Sequence, residues 1–185
     1  MGDSDAKARA ANVKAVMFDV DGVLTDGGII IDPSGKELKR FDVQDGTGIK
    51  FLQRAGFIVA FISGRESKAV EARARELGVG YVYQGCRDKA KAYEDFKRVC
   101  SLEDRHVAYV GDDLPDMPAM SRSGLAAAVA NARTEVKAAA QYVTQASGGH
   151  AAAREFAEWL LKAAGRWEAV VAQYAGGSGE RRDQT

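Results

Sequence analysis

Acidic, hydroxyl and ammonium side chains follow four apolar segments of this 185-residue chain. Asp19 and Asp21 come directly after the first segment, Ser63 after the second, Lys89 shortly after the third, and the sequence GDDLPD at 111–116 after the fourth. Clustered carboxylates stay ionised together only when a cation lies among them. Their oxygens suit Mg²⁺, which usually keeps one or two carboxylates together with water and a phosphate oxygen of the substrate. The pattern therefore predicts a Mg²⁺ site that handles a phosphorylated substrate.

The residue types at these positions also fit the steps of phosphoryl transfer. We expect Asp19 and Asp112 to be side-chain ligands of the metal, with Asp21 beside Asp19. One aspartate can attack phosphorus to form an aspartyl-phosphate, and a second can protonate the leaving oxygen and then activate water. Ser63 and Lys89 would supply a hydrogen-bond donor and a positive charge for the phosphoryl oxygens.

Each of these signals has a purely structural explanation when it is taken alone. An Asp-x-Asp pair is often a cap or turn at the end of a strand, and Gly-Asp-Asp can be a turn closed by an aspartate. Ser63 could cap the N-terminus of a helix, and Lys89 could lie on a solvated helix face. The occurrence of all four in order, each after a predicted strand, favours a catalytic site instead.

Apolar runs alternate with helical patterns along the chain, which is typical of a parallel sheet covered by helices on both faces. The apolar runs predict strands at 15–18, 57–62, 81–83 and 107–110, with weaker candidates at 125–129 and 142–143. The patterns between them predict helices at about 46–55, 65–77, 88–100, 115–122, 132–139 and 150–163. Ligands bind such sheets at the carboxyl ends of the strands. We therefore predict an α/β, Rossmann-like, doubly wound parallel sheet with the polar residues at that edge.

One segment, 27–43, breaks this alternation. Two extended arms flank a Pro33-Ser34-Gly35 turn, which predicts a β-hairpin inserted directly after the first strand. No insertion in the sequence is long enough for a separate cap domain, so the hairpin is the only candidate cover for the site. A hairpin alone is marginally stable, and the isoleucines at 29–31 would be exposed in a monomer. We therefore expect the hairpin to form an interface between copies of the chain.

Composition bounds the class of protein. The 26 basic and 26 acidic residues leave no net charge, which argues against binding to nucleic acid or to an anionic membrane surface. We expect a single domain at 13–174, a flexible N-terminal segment at 1–12 and a disordered Gly-rich tail at 175–185. Because the sequence shows no signal-peptide pattern and no apolar run long enough for a membrane span, and has only two cysteines, we expect a cytoplasmic protein.

Several motifs resemble those of known phosphatases. The stretch 19–26 (DVDGVLTD), Ser63, Lys89 and the stretch 111–116 resemble the four motifs of the haloacid dehalogenase superfamily of phosphohydrolases. The stretches 41–50 (FDVQDGTGIK), 83–85 (YQG) and 148–155 (GGHAAARE) resemble segments of the 3-deoxy-D-manno-octulosonate 8-phosphate (KDO 8-phosphate) phosphatase family. The similarity runs from about residue 13 to residue 174.

The resemblance implies a role for each acidic residue of the predicted site. Asp19 would be the nucleophile and a Mg²⁺ ligand, and Asp21 the acid/base, with its backbone carbonyl on the metal. Asp112 would be the third protein ligand of the metal. Asp113 and Asp116 would orient these ligands.

The resemblance also implies a set of residues for the substrate. These are Asp21, Asp42, Val43, Gln44, Asp45, Gly46, Lys50, Arg65, Arg73 and Lys89. An eight-carbon keto-acid phosphate carries a carboxylate and hydroxyl groups that guanidinium and backbone groups can bind. The sequence departs from the family at His150 and Ala151, where the family often has Arg and Gly, so no substrate contact carries over to them. Arg154 could equally be a helix-surface residue.

These implied roles make KDO 8-phosphate the expected substrate, hydrolysed to KDO and phosphate in lipopolysaccharide precursor synthesis. The family also implies a homotetramer whose hairpins form a barrel, so that each active site is roofed by a neighbour. The nearest alternative is a phosphatase for another sugar-acid phosphate, such as a nonulosonate 9-phosphate. A remoter alternative is a non-catalytic regulatory subunit with this fold, which would usually have lost a motif residue. A receiver-type signalling domain fits the Asp-x-Asp pair and the hairpin poorly.

Overall fold

The computed structural model describes residues 3–175. Its strands are β1 (Ala15–Asp19), β2 (Ile30–Ile31), β3 (Glu37–Leu38), β4 (Ile58–Ile62), β5 (Tyr81–Tyr83), β6 (Val107–Gly111), β7 (Leu125–Ala128) and β8 (Tyr142–Val143). Its helices are α1 (Asp3–Ala10), α2 (Val43–Arg54), α3 (Lys68–Leu77), α4 (Lys89–Cys100), α5 (Met117–Met120), α6 (Thr134–Ala139), α7 (Ala152–Ala163) and α8 (Trp167–Ala175). Six strands form a parallel sheet in the order β5-β4-β1-β6-β7-β8. The predicted doubly wound α/β fold is confirmed.

The centre of the sheet is the place where the strand order reverses. From β1 the chain proceeds outward on one side through β4 and β5, and it returns to the other side of β1 with β6 before proceeding outward to β8. A parallel sheet opens a crevice at such a reversal, at the carboxyl ends of its strands. The ends of β1 and β6 therefore lie at the binding crevice of the fold.

Helices bury the central strands on both faces. All five residues of β1 and all five of β6 are buried, as their continuous apolar sequences predict. Phe156 of α7 meets Phe18 of β1 edge-on, with 6.2 Å between ring centroids. Within residues 3–175, no helix is both long and apolar enough to cross a membrane. The crevice at the ends of β1 and β6 therefore lies directly on the packed core.

Most helix boundaries lie within three residues of the predicted ones. α2 begins at Val43, three residues early, because Asp42 caps it by accepting the Gln44 N–H at 2.6 Å. Gly78 ends α3 in the left-handed conformation, as its position after the helical pattern predicts. Helices α1 and α8 lie outside the predicted set.

The segment 1–12, predicted to be flexible, contains a helix in the part of it that the structure describes. Residues Asp3–Ala10 form α1, and its Ala6 and Ala10 are buried. These alanines are four residues apart, so they share one helix face, and their small side chains let α1 pack against α7 and β7. Beyond residue 175, the predicted disordered tail lies outside the described residues.

The predicted hairpin is present, although it is short. β2 and β3 pair antiparallel over two residues each. Asp32 closes the turn by accepting the backbone N–H groups of Ser34 and Lys36, both at 2.9 Å. The isoleucines at 29–31 are between 49% and 62% exposed. The hairpin therefore presents an apolar surface that the other residues between 3 and 175 leave exposed.

Candidate active site

Asp19 is the last residue of β1 and is almost completely buried, at 3% exposure. After it the chain forms a wide turn over Val20–Leu24, closed by the Thr25 N–H on the Val20 carbonyl at 3.0 Å. Gly22 in this turn has a φ of 105°, and a Cβ there would lie 2.2 Å from Asp112 Oδ2. Glycine is therefore required for the turn after β1 to approach the carboxylate that follows β6.

A second glycine brings the C-terminal half of the chain onto the same turn. A Cβ at Gly148 would lie 1.7 Å from the Gly22 carbonyl oxygen, and the Gly149 N–H donates to the Val23 carbonyl at 2.9 Å. The next residue, His150, contacts the Gly148 carbonyl through Nδ1 at 3.0 Å. The segment 148–150 therefore packs against the backbone of the turn at Gly22 and Val23.

Three carboxylates converge at the crevice. One oxygen from each of Asp19, Asp112 and Asp116 lies within 4.8 Å of the other two. Burial, together with the charge of Asp116, raises the pKa of Asp112 to about 6. Burial and the same charge hold the pKa of Asp19 well above its usual range, against the opposing effect of Lys89. Asp112 Oδ1 is buried and has no hydrogen-bond partner within residues 3–175. These are the features of a site that requires a cation to keep its carboxylates ionised.

Lys89 is the first residue of α4, where Asp88 caps the helix by accepting the Lys91 N–H at 3.2 Å. Its Nζ donates to Asp19 Oδ1 at 2.7 Å and to Asp116 Oδ1 at 2.6 Å. Burial alone would lower the pKa of Lys89, but the two carboxylates outweigh that effect and raise it above its ordinary value. A buried positive charge is thus fixed beside the aspartate at the end of β1.

Asp116 organises the loop after β6. Its Oδ2 accepts the backbone N–H groups of Asp112 at 3.1 Å and Asp113 at 3.2 Å, while its Oδ1 accepts the Tyr109 hydroxyl at 2.7 Å. Asp116 therefore lies within the carboxylate cluster as well as shaping the loop. The Asp113 side chain lies outside the cluster, because its Oδ1 accepts the Leu114 N–H at 2.8 Å. Tyr109 is absent from the predicted site, since it occupies an ordinary strand position in the sequence.

The carboxylate of Asp21 points away from the cluster. Its Oδ2 accepts the Ser63 hydroxyl at 2.9 Å, and its Oδ1 accepts the Lys39 ammonium group. Ser63 is buried just after β4, and its Oγ accepts the Arg65 N–H at 3.0 Å. The structure thus brings Asp21 and Ser63 together beside Asp19.

The predicted substrate residues divide into two groups, one of which lies near the crevice. Arg65 forms an ion pair with Glu37 of the hairpin. Arg73 donates to the Asp42 carbonyl at 3.1 Å and pairs with Glu76 at 2.9 Å. A cavity of about 470 Å³ lies between the hairpin and the start of α3, lined by Lys36, Glu37, Leu38, Lys39, Glu66, Ser67, Lys68, Ala69 and Ala72. This cavity could take a substrate larger than a phosphate ion.

Two further residues of the predicted substrate set, Asp45 and Lys50, lie on α2, and Lys50 lines a second cavity of about 280 Å³ together with Arg73. Asp45 is 2% exposed, and its Oδ1 accepts the Arg154 N–H at 2.9 Å near the start of α7, so this carboxylate caps a helix. Lys50 lies near the end of α3, with Nζ 3.7 Å from where a Cβ on Gly78 would be. The Arg154 side chain lies over the Phe51 ring and donates to Glu158 at 2.6 Å, which is the helix-surface position.

Comparison with known proteins decides the family. Residues 81–155 match the family of haloacid dehalogenase-like hydrolases. A KDO 8-phosphate phosphatase from Escherichia coli strain K12 is 42% identical over 170 residues, which are 92% of this chain and 90% of that protein. The chain belongs to the KDO 8-phosphate phosphatase family. The predicted resemblance is therefore confirmed.

Solved structures of KDO 8-phosphate phosphatases share this fold. The crystal structure of the Moraxella catarrhalis enzyme, a complex with a magnesium ion, a phosphate ion and a KDO molecule, is 39% identical in sequence. It has a TM-score of 0.91 over 94% of this chain and 99% of that one. The Yersinia pestis enzyme is 43% identical, with a TM-score of 0.87 over 89% of each chain. A cobalt-bound form of the Haemophilus influenzae enzyme is 39% identical, with a TM-score of 0.83 over 86% of this chain and 93% of that one.

Proposed function

We propose that this chain is a Mg²⁺-dependent phosphatase that hydrolyses KDO 8-phosphate to KDO and phosphate, a step of lipopolysaccharide precursor synthesis. The observation that carries the proposal is the buried Asp19 at the end of β1, held by Lys89 beside two further carboxylates. The KDO 8-phosphate phosphatases that resemble the chain over most of its length supply the substrate class. We also propose a cytoplasmic enzyme, because the unpaired Cys86 and Cys100 suit a reducing compartment.

The carboxylate cluster fits a divalent cation. Three oxygens lie close together, and the buried Asp112 Oδ1 has no partner in the described part of the chain. Asp19 and Asp112 would hold Mg²⁺ together with the backbone carbonyl of Asp21, while Asp116 keeps its bonds to Lys89 and Tyr109. When bound, the cation neutralises the carboxylates and polarises the phosphoryl group.

Asp19 would be the nucleophile. Its carboxylate attacks phosphorus, so that a bond from the Asp19 carboxylate oxygen to phosphorus forms, giving an acyl phosphate, while the bond from phosphorus to the sugar oxygen breaks. Water, which gives a proton to Asp21, then attacks the phosphorus of this acyl phosphate and releases phosphate, which returns the Asp19 carboxylate. A rigid position suits this role, because the reacting oxygen must already be placed when the substrate binds.

Asp21 would move the protons. In the first step its carboxyl gives a proton to the leaving sugar oxygen, and in the second its carboxylate takes one from the attacking water. Its position two residues after Asp19, together with its hydrogen bond from Ser63, supports this role. The same residue can therefore serve both half-reactions.

Ser63 and Lys89 would stabilise the transferring phosphoryl group. Charge collects on the equatorial phosphoryl oxygens in the transition state, and fixed donors there lower the barrier. Both side chains are buried, at 1% and 8% exposure, so solvent weakens their interactions little. Lys89 also neutralises the neighbouring carboxylates, which would otherwise repel an anionic substrate.

Recognition of the sugar acid would fall to the side of the site that faces the hairpin. Arg65 is well placed because its guanidinium already binds the carboxylate of Glu37. Arg73 supports the backbone at Asp42, so the stretch 42–46 would present backbone groups to the substrate. The cavity of about 470 Å³ beside Lys39 provides room for the eight-carbon chain.

We further propose a homotetramer in which the hairpins assemble and each covers a neighbouring site. The isoleucines at 29–31, between 49% and 62% exposed, support an apolar interface there. Size-exclusion chromatography with light scattering is expected to give four chains for the wild type and a smaller species for Ile30→Asp. A wild-type monomer at micromolar concentration would contradict this proposal.

A substrate panel tests the proposed activity. Phosphate release would be measured with Mg²⁺ for KDO 8-phosphate, a nonulosonate 9-phosphate and phosphoserine, each with and without a chelator. We expect the highest kcat/KM with KDO 8-phosphate and loss of turnover in the chelator. A higher kcat/KM with the nonulosonate phosphate would reassign the substrate, whereas no release from any compound would point to a non-catalytic protein.

A further inference from the structure

Lys39 connects the hairpin to Asp21. It lies directly after β3, yet its side chain is only 3% exposed. Its Nζ donates to Asp21 Oδ1 and pairs with Glu37 Oε1 at 2.9 Å. A lysine is rarely buried to this extent unless its charge is paired. Lys39 thus lies inside the site, although it belongs to an element outside the sheet.

Asp21 needs a fixed partner of this kind. Its side chain is 26% exposed, and two contacts hold it, Lys39 on Oδ1 and Ser63 on Oδ2. In the proposed reaction Ser63 donates to the phosphoryl group, which takes its hydroxyl away from Asp21. The contact that then remains is the one from Lys39. It would keep Oδ1 in place and leave Oδ2 facing the reacting oxygen.

Glu37 holds Lys39 from the opposite side. Its Oε1 forms an ion pair with Lys39 at 2.9 Å, and its Oε2 accepts from Arg65. Arg65 and Lys39 lower the pKa of Glu37 below its ordinary value, which keeps this carboxylate ionised. A chain of ion pairs with alternating charge therefore links the proposed acid/base to a predicted substrate residue. Its members, in order, are Asp21, Lys39, Glu37 and Arg65.

We propose that Lys39 is a positioning residue that fixes the Asp21 carboxyl for proton transfer to and from the substrate. The inference rests on the proposed function, because it takes Asp21 as the acid/base. It adds that the hairpin has a part in the chemistry as well as in covering the site. The position of the hairpin then sets the rate at which the leaving oxygen is protonated.

Substrates with different leaving groups test this inference. kcat/KM covers the steps up to departure of the leaving group. A sugar alkoxide must be protonated as it leaves, whereas p-nitrophenolate leaves readily without a proton. For Lys39→Met we therefore expect kcat/KM to fall about 100-fold with KDO 8-phosphate and less than about threefold with p-nitrophenyl phosphate.

Two further variants serve as controls. Lys39→Arg keeps the charge and the donor, and we expect it to recover kcat/KM for KDO 8-phosphate to within about tenfold of the wild type. Arg40→Met removes a cation of the same predicted hairpin segment whose side chain is 58% exposed, and it is expected to leave kcat/KM for both substrates within about twofold, as surface changes usually do. Thermal melting and light scattering of each variant would show whether fold and assembly are retained.

Each outcome bears on the inference. An equal loss with both substrates in Lys39→Met would assign Lys39 a general structural role and overturn it. Unchanged kinetics with both substrates would show that Asp21 needs no partner from the hairpin, which overturns it as well. A wild-type enzyme inactive on both substrates with Mg²⁺ would overturn the proposed function itself, and this inference with it.

Discussion

Asp19 and Arg65 lie on opposite sides of the candidate site and in opposite surroundings. Asp19, Lys89 and Asp116 are at most 8% exposed and are bonded to one another within the core. The Arg65 side chain is 47% exposed, and its partner Glu37 belongs to a hairpin of two short strands. Water and salt weaken the interaction between buried charges much less than the interaction between exposed charges. An exposed ion pair can therefore exchange its partner for a charged ligand more readily than a buried one. The site therefore combines a fixed centre for phosphoryl chemistry with a rim that can exchange partners for a substrate.

Substitution of the proposed nucleophile, Asp19, should cause the largest loss of activity. Asp19→Asn is expected to lower kcat with KDO 8-phosphate by at least about 10⁴-fold, because an amide cannot form the aspartyl-phosphate. The fold should persist, since the amide oxygen can still accept from Lys89. Asp95→Asn, at a partly exposed position on α4, is the matched control and should retain wild-type turnover. Substantial activity in Asp19→Asn would exclude the covalent mechanism.

Lys89→Met tests both the stability and the chemistry of the same side. Without the ammonium group, two buried carboxylates lose their cationic partner. We expect kcat to fall about 10²–10³-fold and unfolding in a chelator to become about 3 kcal/mol easier, with Mg²⁺ restoring part of that stability. Urea unfolding with and without Mg²⁺ measures the second effect. Lys91→Met, on the exposed face of α4, should change neither quantity.

Two substitutions on the rim should separate the predicted substrate residues. Arg65→Met is expected to raise KM for KDO 8-phosphate about tenfold with little change in kcat, because it removes a charged contact made equally in ground and transition states. Lys50→Met should change KM less than about twofold, since its ammonium group lies near the end of α3. Equal effects of the two would show that the substrate reaches beyond the crevice or that a neighbouring chain uses Lys50.

Asp45 should show its structural role in the pH dependence of stability. Burial raises its pKa to about 6, so between its ordinary value and about 6 the folded chain keeps a proton that the unfolded chain has released. Stability is therefore lost as the pH rises through that range. Asp45→Asn retains the oxygen that accepts the Arg154 N–H, and it should be more stable than the wild type by about 2 kcal/mol near neutral pH but not at about pH 4. Parallel urea midpoints across this range would contradict the assignment.

The buried side of the site, around Asp19 and Lys89, could be predicted from the sequence because these residues follow the predicted strands. Asp19, Ser63 and the loop after β6 come directly after apolar runs, and Lys89 opens a helix after another. The topology of a parallel sheet then brings these ends together whatever the details of packing. The fold itself follows from the same alternation of apolar and helical segments.

The rim depends on packing between elements that are distant in the sequence. α2 runs away from the crevice, so Lys50, seven residues after Val43, lies about 10 Å along the helix from its start. Asp45 turns inward because α7, more than a hundred residues later, brings uncapped N–H groups to it. The burial of Lys39 likewise depends on where the hairpin lies. Local pattern alone carries no signal for any of these three placements.

The contact of Gly148 with the turn after Asp19 has a consequence for how the enzyme is made. The turn leaves the first strand of the sheet, but the residue lying against its Gly22 carbonyl follows the last strand. During synthesis, Asp19 and the turn that follows it are made well before the segment 148–150 that packs against this turn. Nascent chains that end before residue 148 therefore lack a supported catalytic turn. We therefore expect the turn after Asp19 to reach its final geometry only after the segment 148–150 has been synthesised.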